Sequence, residues 1–315
     1  MKRQKIIAPG NVILVWCLWL LGAQAAQSQL RLEADNVDWR GATRVAYDVF
    51  DSGEYAQTVY FKVRLTGPPV PFFVTFGNLG ATGSGRLATQ GGVSLGYEIY
   101  DSVIRRTVLR DLPNATASEV LSGVFGPGEE TKELSYVVLV PPEQMKPSGF
   151  YTQQIRITLY QGTRDNFVEK DAKTVSFSIR VDSVAEISLG EPGAPFDAKA
   201  KSHHLDFQDM GKNKAKAMDM RLRSNAGYHV TIGSENGGVM KNLDPRHPAT
   251  IPYTLQINRS PVSLGRTAQT VLARASRLTD RNGDRHELLV TIGQADNAPA
   301  GKYQDILSVT IVSDN

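Results

Sequence analysis

Two short polar clusters have residue types that could bind a metal ion. His203 and His204 are adjacent, and neighbouring residues of a strand point to opposite faces, so the two rings would not chelate one ion together. Residues 280–284 (DRNGD) resemble the start of a calcium loop but lack the spaced ligands and the closing glutamate. No Ser-His-Asp, paired-carboxylate or phosphate-binding arrangement stands out. The sequence therefore predicts no enzyme, no metal site and no cofactor.

The closing segment of the chain indicates a different kind of chemistry, that of an unpaired backbone edge. From Tyr303 onward apolar and polar residues alternate, which predicts a β-strand half buried in a sheet. A similar segment occurs 152 residues earlier (311 − 159). The matched residues are Gly149, Tyr151, Ile155, Ile157 and Leu159 with Gly301, Tyr303, Leu307, Val309 and Ile311.

The two segments differ in the residues that come after them. After Tyr160 a short turn leads to a second alternating strand, in which Val175, Phe177, Ile179 and Val181 share a face. After Ile311 only four residues remain, so we expect the second copy to be one strand short. An unpaired edge above apolar side chains favours aggregation unless it is covered. Our hypothesis is that a strand from another chain fills the gap by donor-strand complementation.

Residues 1–25 have the features of a cleaved export signal. Lys2, Arg3 and Lys5 are basic, residues 12–21 are apolar, and residues 23–25 (AQA) form a cleavage site; the alternative is an uncleaved anchor. The only cysteine lies in this segment, so the exported chain would have no disulfide and would be stabilised by burial. The net charge of +3 gives no indication of nucleic acid or membrane binding.

An internal repeat runs through the rest of the chain. Residues 73–77 match 229–233 and residues 95–99 match 251–255, both at an interval of 156 (229 − 73), and residues 30–32 match 187–189 at 157 (187 − 30). Both copies consist of short alternating runs separated by Gly, Pro, Asn and Asp, which predicts an all-β fold. We therefore expect two tandem immunoglobulin-like β-sandwich domains, at 26–183 and 184–315, the second lacking its final strand.

Two local elements are also predicted. Asn282-Gly283 is a hairpin signal between strands at 271–278 and 287–292, and residues 115–121 favour a helical turn within a loop. After cleavage, only a few residues would precede the first strand at Leu30. We therefore expect the chain to accept a strand but to have none to donate.

Several segments of the second copy carry a resemblance to a known family. Residues 205–210 (LDFQDM), 224–228 (SNAGY), 251–253 (IPY) and 299–305 (PAGKYQD) resemble the spore coat protein U domain of archaic chaperone-usher pili, and the closing Ala-Gly-x-Tyr-x-Asp is the most specific part. The first copy resembles the N-terminal domain of two-domain tip subunits of that family. Many single-domain members have a disulfide, which this chain lacks.

The resemblance implies pilin-type domains and a function as an adhesive pilus tip subunit that supports biofilm formation. The implied partners are a periplasmic pilus chaperone, an outer-membrane usher, an adjacent pilin subunit that donates a strand, and an abiotic or host surface, with no nucleic acid. The implied location is the periplasm during assembly and then the cell surface. The alternatives are a secreted carbohydrate-binding sandwich, a secreted enzyme and a periplasmic pilus chaperone.

Two sets of residues are predicted to carry this function. The acceptor groove for the donated strand is predicted to be lined by Val184, Ile187, Leu189, Leu307, Val309 and Ile311. Loops of the first domain are predicted to provide the adhesive residues Val70, Leu79, Leu87, Leu112, Leu121, Val124 and Phe125. The alternatives are that the first set belongs to an ordinary core and that the loop residues fold back as local plugs on the sandwich.

Overall fold

The computed structural model describes residues 28–38, 46–79, 85–208, 210–274 and 278–314, with backbone only for residues 35–38. The predicted export signal, residues 1–25, lies outside this part. The described residues form β-strands, loops and one 3-10 helix, Ala117–Glu119, within the segment where a helical turn was predicted. No helix of these ranges is long and apolar enough to cross a bilayer. The fold class is all-β, as predicted.

The first nine strands, here called the N-terminal set, form a network of antiparallel pairs. They are β1 (Gln29–Asp38), β2 (Tyr55–Thr66), β3 (Pro71–Asn78), β4 (Arg86–Gln90), β5 (Val93–Tyr100), β6 (Leu121–Val124), β7 (Thr131–Val140), β8 (Gly149–Thr163) and β9 (Asn166–Val181). Their order is β1-β2-β7-β5-β4-β8-β3-β6, and β9 pairs with β8. One core of alternating inward residues lies between the layers, with Phe61, Phe76 and Tyr136 at close ring distances.

The next ten strands, the C-terminal set, pair only among themselves within the described ranges. They are β10 (Ala185–Gly190), β11 (Ala215–Ser224), β12 (Tyr228–Ser234), β13 (Val239–Asn242), β14 (Thr250–Ile257), β15 (Ser260–Val262), β16 (Gln269–Arg274), β17 (Asp284–Ile292), β18 (Tyr303–Gln304) and β19 (Leu307–Ser313). One sheet has the order β10-β11-β17-β14-β13-β18, with β15 beside β14, and the other has the order β16-β12-β19.

The pairing registers of the two sets repeat at the intervals found in the sequence. Leu30 faces Leu65 across β1 and β2, and Ile187 faces Leu222 across β10 and β11, each residue 157 positions later (187 − 30, 222 − 65). In the same way β3 and β8 correspond to β12 and β19, β5 corresponds to β14, and β7 corresponds to β17. For these strand pairs the repeat therefore extends to the pairing register.

The predicted hairpin through Asn282-Gly283 is wrong. The turn itself forms, since Gly283 has φ +70° and its N–H donates to the Asp280 carbonyl at 3.1 Å. However, β16 pairs with β12, whereas β17 pairs with β11 and β14 in the other sheet. The turn residues determine the local backbone geometry, but long-range pairing determines which sheet the next strand joins, and here the chain crosses between sheets.

The two sets meet around Asn225, a buried residue between β11 and β12. Its side chain donates to the Asp182 carbonyl at 2.7 Å and accepts from the Val184 N–H at 2.8 Å, while its carbonyl accepts from the Ser148 N–H. Beside it the Arg223 guanidinium lies over the rings of Phe50 of the N-terminal set and Phe196, at 4.5 and 4.1 Å. Polar and cation–π contacts therefore join the two sets at this position.

Candidate functional site

The equivalent strands β8 and β19 differ in how many of their edges are paired. β8 pairs with β3 on one side and along its whole length, from Gly149 to Thr163, with β9 on the other. β19 pairs with β12 alone among the described residues. The C-terminal set has no described strand in the position of β9, so one backbone edge of β19 is unpaired within the described part of the chain, and we call it the open edge.

The open edge lies beside core residues that are only half-buried. In the N-terminal set Ile155, Ile157 and Leu159 of β8 are at most 1% exposed. Their equivalents Leu307, Val309 and Ile311 belong to the rim of the second core and are half-buried. Matched apolar residues of the equivalent strands β8 and β19 are thus fully buried in the N-terminal set and only half-buried in the C-terminal set.

The opposite wall of this gap is β10. Ile187 and Leu189 on β10 are half-buried, whereas their equivalents Leu30 and Leu32 on β1 are almost fully buried. In the N-terminal set β9 lies next to β1 as well as β8, and the Leu32 N–H donates to the Asp171 carboxylate of β9 at 2.8 Å. Ile187, Leu189, Leu307, Val309 and Ile311 thus lie on two neighbouring strands and all pack against the second core, and we call these five predicted residues the acceptor groove.

Val184, the sixth predicted groove residue, lies at the end of the acceptor groove. It precedes β10, and both its N–H and its carbonyl are hydrogen-bonded to Asn225. Its neighbour Ser183 accepts from the Ser313 hydroxyl through its carbonyl and donates to the Asp314 carbonyl. Val184 is therefore positioned at the junction of the two sets, where β19 ends.

A segment that sequence reasoning missed covers part of the β10 edge. After β10 the chain folds back, and the Ala200 carbonyl accepts from the Leu189 N–H at 2.8 Å. The Lys201 ammonium group donates to the Ile187 carbonyl at 2.9 Å. Nothing in the local sequence around Ala200 and Lys201 indicates that this segment returns to the strand edge. The groove therefore offers one open backbone edge, that of β19, and one capped edge.

A partly buried hydrogen-bond cluster fixes the start of β19. The Asp305 carboxylate accepts from the Tyr253 hydroxyl at 2.5 Å, from the Ser234 hydroxyl at 2.6 Å and from the Asn236 N–H at 3.0 Å. Burial, together with the hydrogen bond to Asp305, raises the pKa of Tyr253 well above its usual value. The aspartate of the closing Ala-Gly-x-Tyr-x-Asp segment thus holds the strand against β12 and β14 without a partner chain.

The predicted adhesive residues lie at two ends of the N-terminal set. Val70 and Val124 lie near the first residue of β3, whereas Leu79 follows its last residue and Leu87 lies within β4. The prediction that all of these residues are on loops is therefore wrong for Leu87 in β4 and for Leu121 and Val124 in β6, because long-range pairing draws these segments into the sheet. Val124, Leu79 and Leu87 are exposed, at 61%, 37% and 46%. The exposed members therefore do not form a single patch at one end of the strands.

The remaining predicted adhesive residues pack against the sandwich. Phe125 is 3% exposed, with its ring 5.2 Å from that of Phe72. Leu121 and Val70 pack against the same core, and Leu112 packs against a small cluster that includes Phe73 and Tyr160 on the outer sheet face. These four residues follow the alternative in which the loops act as local plugs.

The loop that contains Leu112 is fixed to the sheet by polar contacts. Asp111 accepts from the Thr75 hydroxyl at 2.7 Å, and the Arg164 guanidinium donates to the carbonyls of Pro113 and Ala115. Phe167, which sequence reasoning also missed, is partly exposed and its ring lies 5.2 Å from that of Tyr160. Phe167 lies beside the turn between β8 and β9, and nothing in the sequence there indicates a contact with Tyr160.

No protein-family model and no curated protein matches the chain. Its structural neighbours include chaperone-usher pilus tip adhesins at low identity. One is a chain of the CsuC-CsuE complex of chaperone and tip adhesion subunit of Acinetobacter baumannii, with 15% identity, coverage of 82% of this chain and 91% of that chain, and a TM-score of 0.47. Another is the CupB6 tip adhesin of Pseudomonas aeruginosa, with 12% identity, coverage of 91% and 95%, and a TM-score of 0.38. The adhesive subunit CfaE of enterotoxigenic Escherichia coli has 11% identity, coverage of 77% and 82%, and a TM-score of 0.32.

Proposed function

We propose that this chain is an exported adhesive subunit from the tip of a chaperone-usher pilus. In this proposal residues 184–315 form the acceptor domain, whose groove is filled by a strand from another polypeptide. Residues 26–183 form the adhesive domain, which is complete because β9 fills the equivalent position. The observation that carries the proposal is the contrast between Leu159 and Ile311, matched residues that are fully buried in one set and half-buried in the other.

The physical reason for a partner is the combination of an open edge and incompletely buried side chains. Unpaired N–H and C=O groups of an edge strand form hydrogen bonds with any suitable strand, and covering apolar area stabilises the complex by about 25 cal/mol per Å². An added strand meets both requirements, because its backbone pairs with β19 while its alternate side chains fill the groove. The family resemblance of the closing segment supplies the identity of the partners: a periplasmic chaperone first and a neighbouring subunit's strand later, with passage through an outer-membrane usher.

Adhesion is assigned in this proposal to the exposed apolar residues of the N-terminal set. Leu79, Leu87 and Val124 are exposed apolar side chains, and contact with an abiotic or host surface would cover them. Attachment of a subunit to its fibre through the C-terminal set would leave these residues free. Biofilm formation at the cell surface would follow from this placement.

The test is refolding of residues 26–315 with and without a strand donor. An 11-residue peptide of alternating Val and Thr serves as a generic donor, and the monomeric fraction is measured by size-exclusion chromatography with light scattering. We expect aggregation or poor recovery without the peptide and monomers with it. In hydrogen exchange, the β19 amides should gain protection when the peptide is present, while the β8 amides, which are paired on both edges, should not change.

A matched pair of substitutions separates groove filling from a general effect on the strand. Val309 faces the groove, and Thr310, its neighbour, is exposed on the outer face of the same strand. Val309→Lys should abolish rescue by the peptide, whereas Thr310→Lys should leave it intact. The proposal is wrong if the chain alone is a cooperatively folded monomer whose β19 amides are protected as strongly as those of β8.

A further inference from the structure

The N-terminal set contains its own example of a strand that fills the equivalent groove. β9 runs antiparallel to β8, and four of its alternate residues enter the core: Val175, Phe177, Ile179 and Val181, each at most 5% exposed. Because β8 and β19 share the same register against their inner neighbours, each contact of β9 predicts a contact of an incoming strand. The inference rests on the proposed function, since it concerns the strand that the acceptor groove would take.

One contact of β9 concerns an aromatic side chain. Phe177 lies opposite Gln153, whose equivalent is Asp305 (153 + 152). The Phe177 ring meets that of Tyr97 edge to face, with ring centroids 5.0 Å apart. The equivalent of Tyr97 is Tyr253 (97 + 156), and the buried Tyr253 ring is held by its hydrogen bond to Asp305. An aromatic residue opposite Asp305 would therefore meet a fixed tyrosine ring, as Phe177 does.

A second contact of β9 concerns an acidic side chain. Asp171 lies opposite Leu159, and its carboxylate accepts from the Leu32 N–H. The equivalents of these two residues are Ile311 and Leu189. In the C-terminal set the Leu189 N–H already donates to the Ala200 carbonyl, and the Lys201 ammonium group is bound to the next carbonyl along the same edge, that of Ile187. A carboxylate opposite Ile311 would therefore approach an N–H donor and a lysine.

We propose that the acceptor groove selects a strand that runs antiparallel to β19, with an aromatic residue opposite Asp305 and an acidic residue opposite Ile311. The positions opposite Leu307 and Tyr303 take aliphatic residues, as Val175 and Ile179 do in β9. The acidic residue displaces the Ala200 carbonyl at the Leu189 N–H and pairs with Lys201. The two selected side chains stand six residues apart, as Asp171 and Phe177 do.

The probe is a synthetic peptide with the sequence of residues 170–182 (KDAKTVSFSIRVD), added while residues 26–315 refold. The measurement is the peptide concentration at which half of the protein is monomeric. We expect a value about tenfold lower than for the generic Val/Thr peptide. In the peptide, Phe177→Ala should raise the value about 30-fold, because it removes a buried ring. Asp171→Asn should raise it about fivefold, and less at high salt.

A double-substitution cycle tests the acidic contact separately. Lys201→Ala in the protein should raise the half-maximal concentration of the natural-sequence peptide about as much as Asp171→Asn in the peptide does. Combining the two substitutions should raise that concentration little further. Additive effects would overturn the acidic part of the proposal. The proposed selection is overturned, and the proposed function is left in place, if the Phe177→Ala peptide or the generic peptide has the same half-maximal concentration as the natural-sequence peptide. Failure of every peptide to yield monomers would overturn both.

Discussion

Truncation of Leu159 and Ile311, which occupy equivalent positions in β8 and β19, should cost different amounts of folding free energy. Leu159 has no exposed surface, since β9 and the core of the N-terminal set cover it. Ile311 is half-buried beside the open edge of β19. We therefore predict a large loss of stability for Leu159→Ala and a smaller one for Ile311→Ala when no strand occupies the groove.

The magnitudes follow from burial. Removing a fully buried leucine side chain down to alanine costs about 2–5 kcal/mol, because both transfer free energy and a cavity contribute. A half-buried isoleucine loses only part of the transfer term, and solvent reaches the space left behind, so we expect about 1 kcal/mol. With a donor peptide in the groove, Ile311 becomes covered, and the cost of Ile311→Ala should rise to roughly 2–3 kcal/mol.

The assay is hydrogen exchange with mass spectrometry on residues 26–315, with and without the peptide. Hydrogen exchange gives the opening free energies of β8 and β19 separately, so the measurement does not require that the two sets unfold together. The prediction fails if Ile311→Ala costs as much as Leu159→Ala without peptide. It also fails if bound peptide leaves the cost of Ile311→Ala unchanged, since the groove would then not be the place where the peptide binds.

Three further predictions concern the rest of the molecule. Burial would by itself raise the pKa of Asp219, but hydrogen bonds from Arg285 and the Gly193 N–H lower this pKa below its ordinary 3.8. The ionised Asp219 therefore stabilises the fold fully above pH 3.8, and this stabilisation is lost as the pH falls through the lower folded-state pKa. Thermal unfolding measured from about pH 5 to 2 should show the loss, and Asp219→Asn should abolish this part of the pH dependence. Asn225→Ala should destabilise the chain by about 2 kcal/mol, because it leaves the Asp182 carbonyl and the Val184 N–H without their partner, and should increase amide exchange at 182–184. Val124→Asp should leave the thermal unfolding temperature unchanged and reduce adhesion to a polystyrene surface, whereas Phe125→Asp should lower that temperature markedly, because only Phe125 is buried.

The alternation of side chains was sufficient to predict the all-β class. The alternating sequence segments 59–65, 134–140 and 288–292 lie within β2, β7 and β17. The repeat intervals of 152 to 157 residues likewise anticipated the register that β1–β2 shares with β10–β11, because these equivalent strands carry their inward residues at equivalent positions. The same regularity led to the comparison of residues 149–159 with 301–311, on which the groove prediction depends.

Local sequence was insufficient where distant segments determine the environment. The Asn282-Gly283 turn forms, yet the strands on either side join different sheets. Phe125 directly follows Val124, the last residue of β6, but Phe125 is buried against Phe72 and Val124 faces solvent. The return of residues 200–201 to the β10 edge also depends on long-range contacts. None of these outcomes follows from residue type and spacing.

The amino-acid sequence alone established which residues alternate and which segments repeat, including the match of residues 149–159 with 301–311. Side-chain alternation and repeat spacing are properties of the chain, so they are visible before it folds. The folded structure was needed to show that β19 keeps an open edge beside half-buried Leu307, Val309 and Ile311, and that β10 is capped by its own following segment. Burial and edge pairing depend on which distant segments come into contact, and those contacts exist only in the folded molecule.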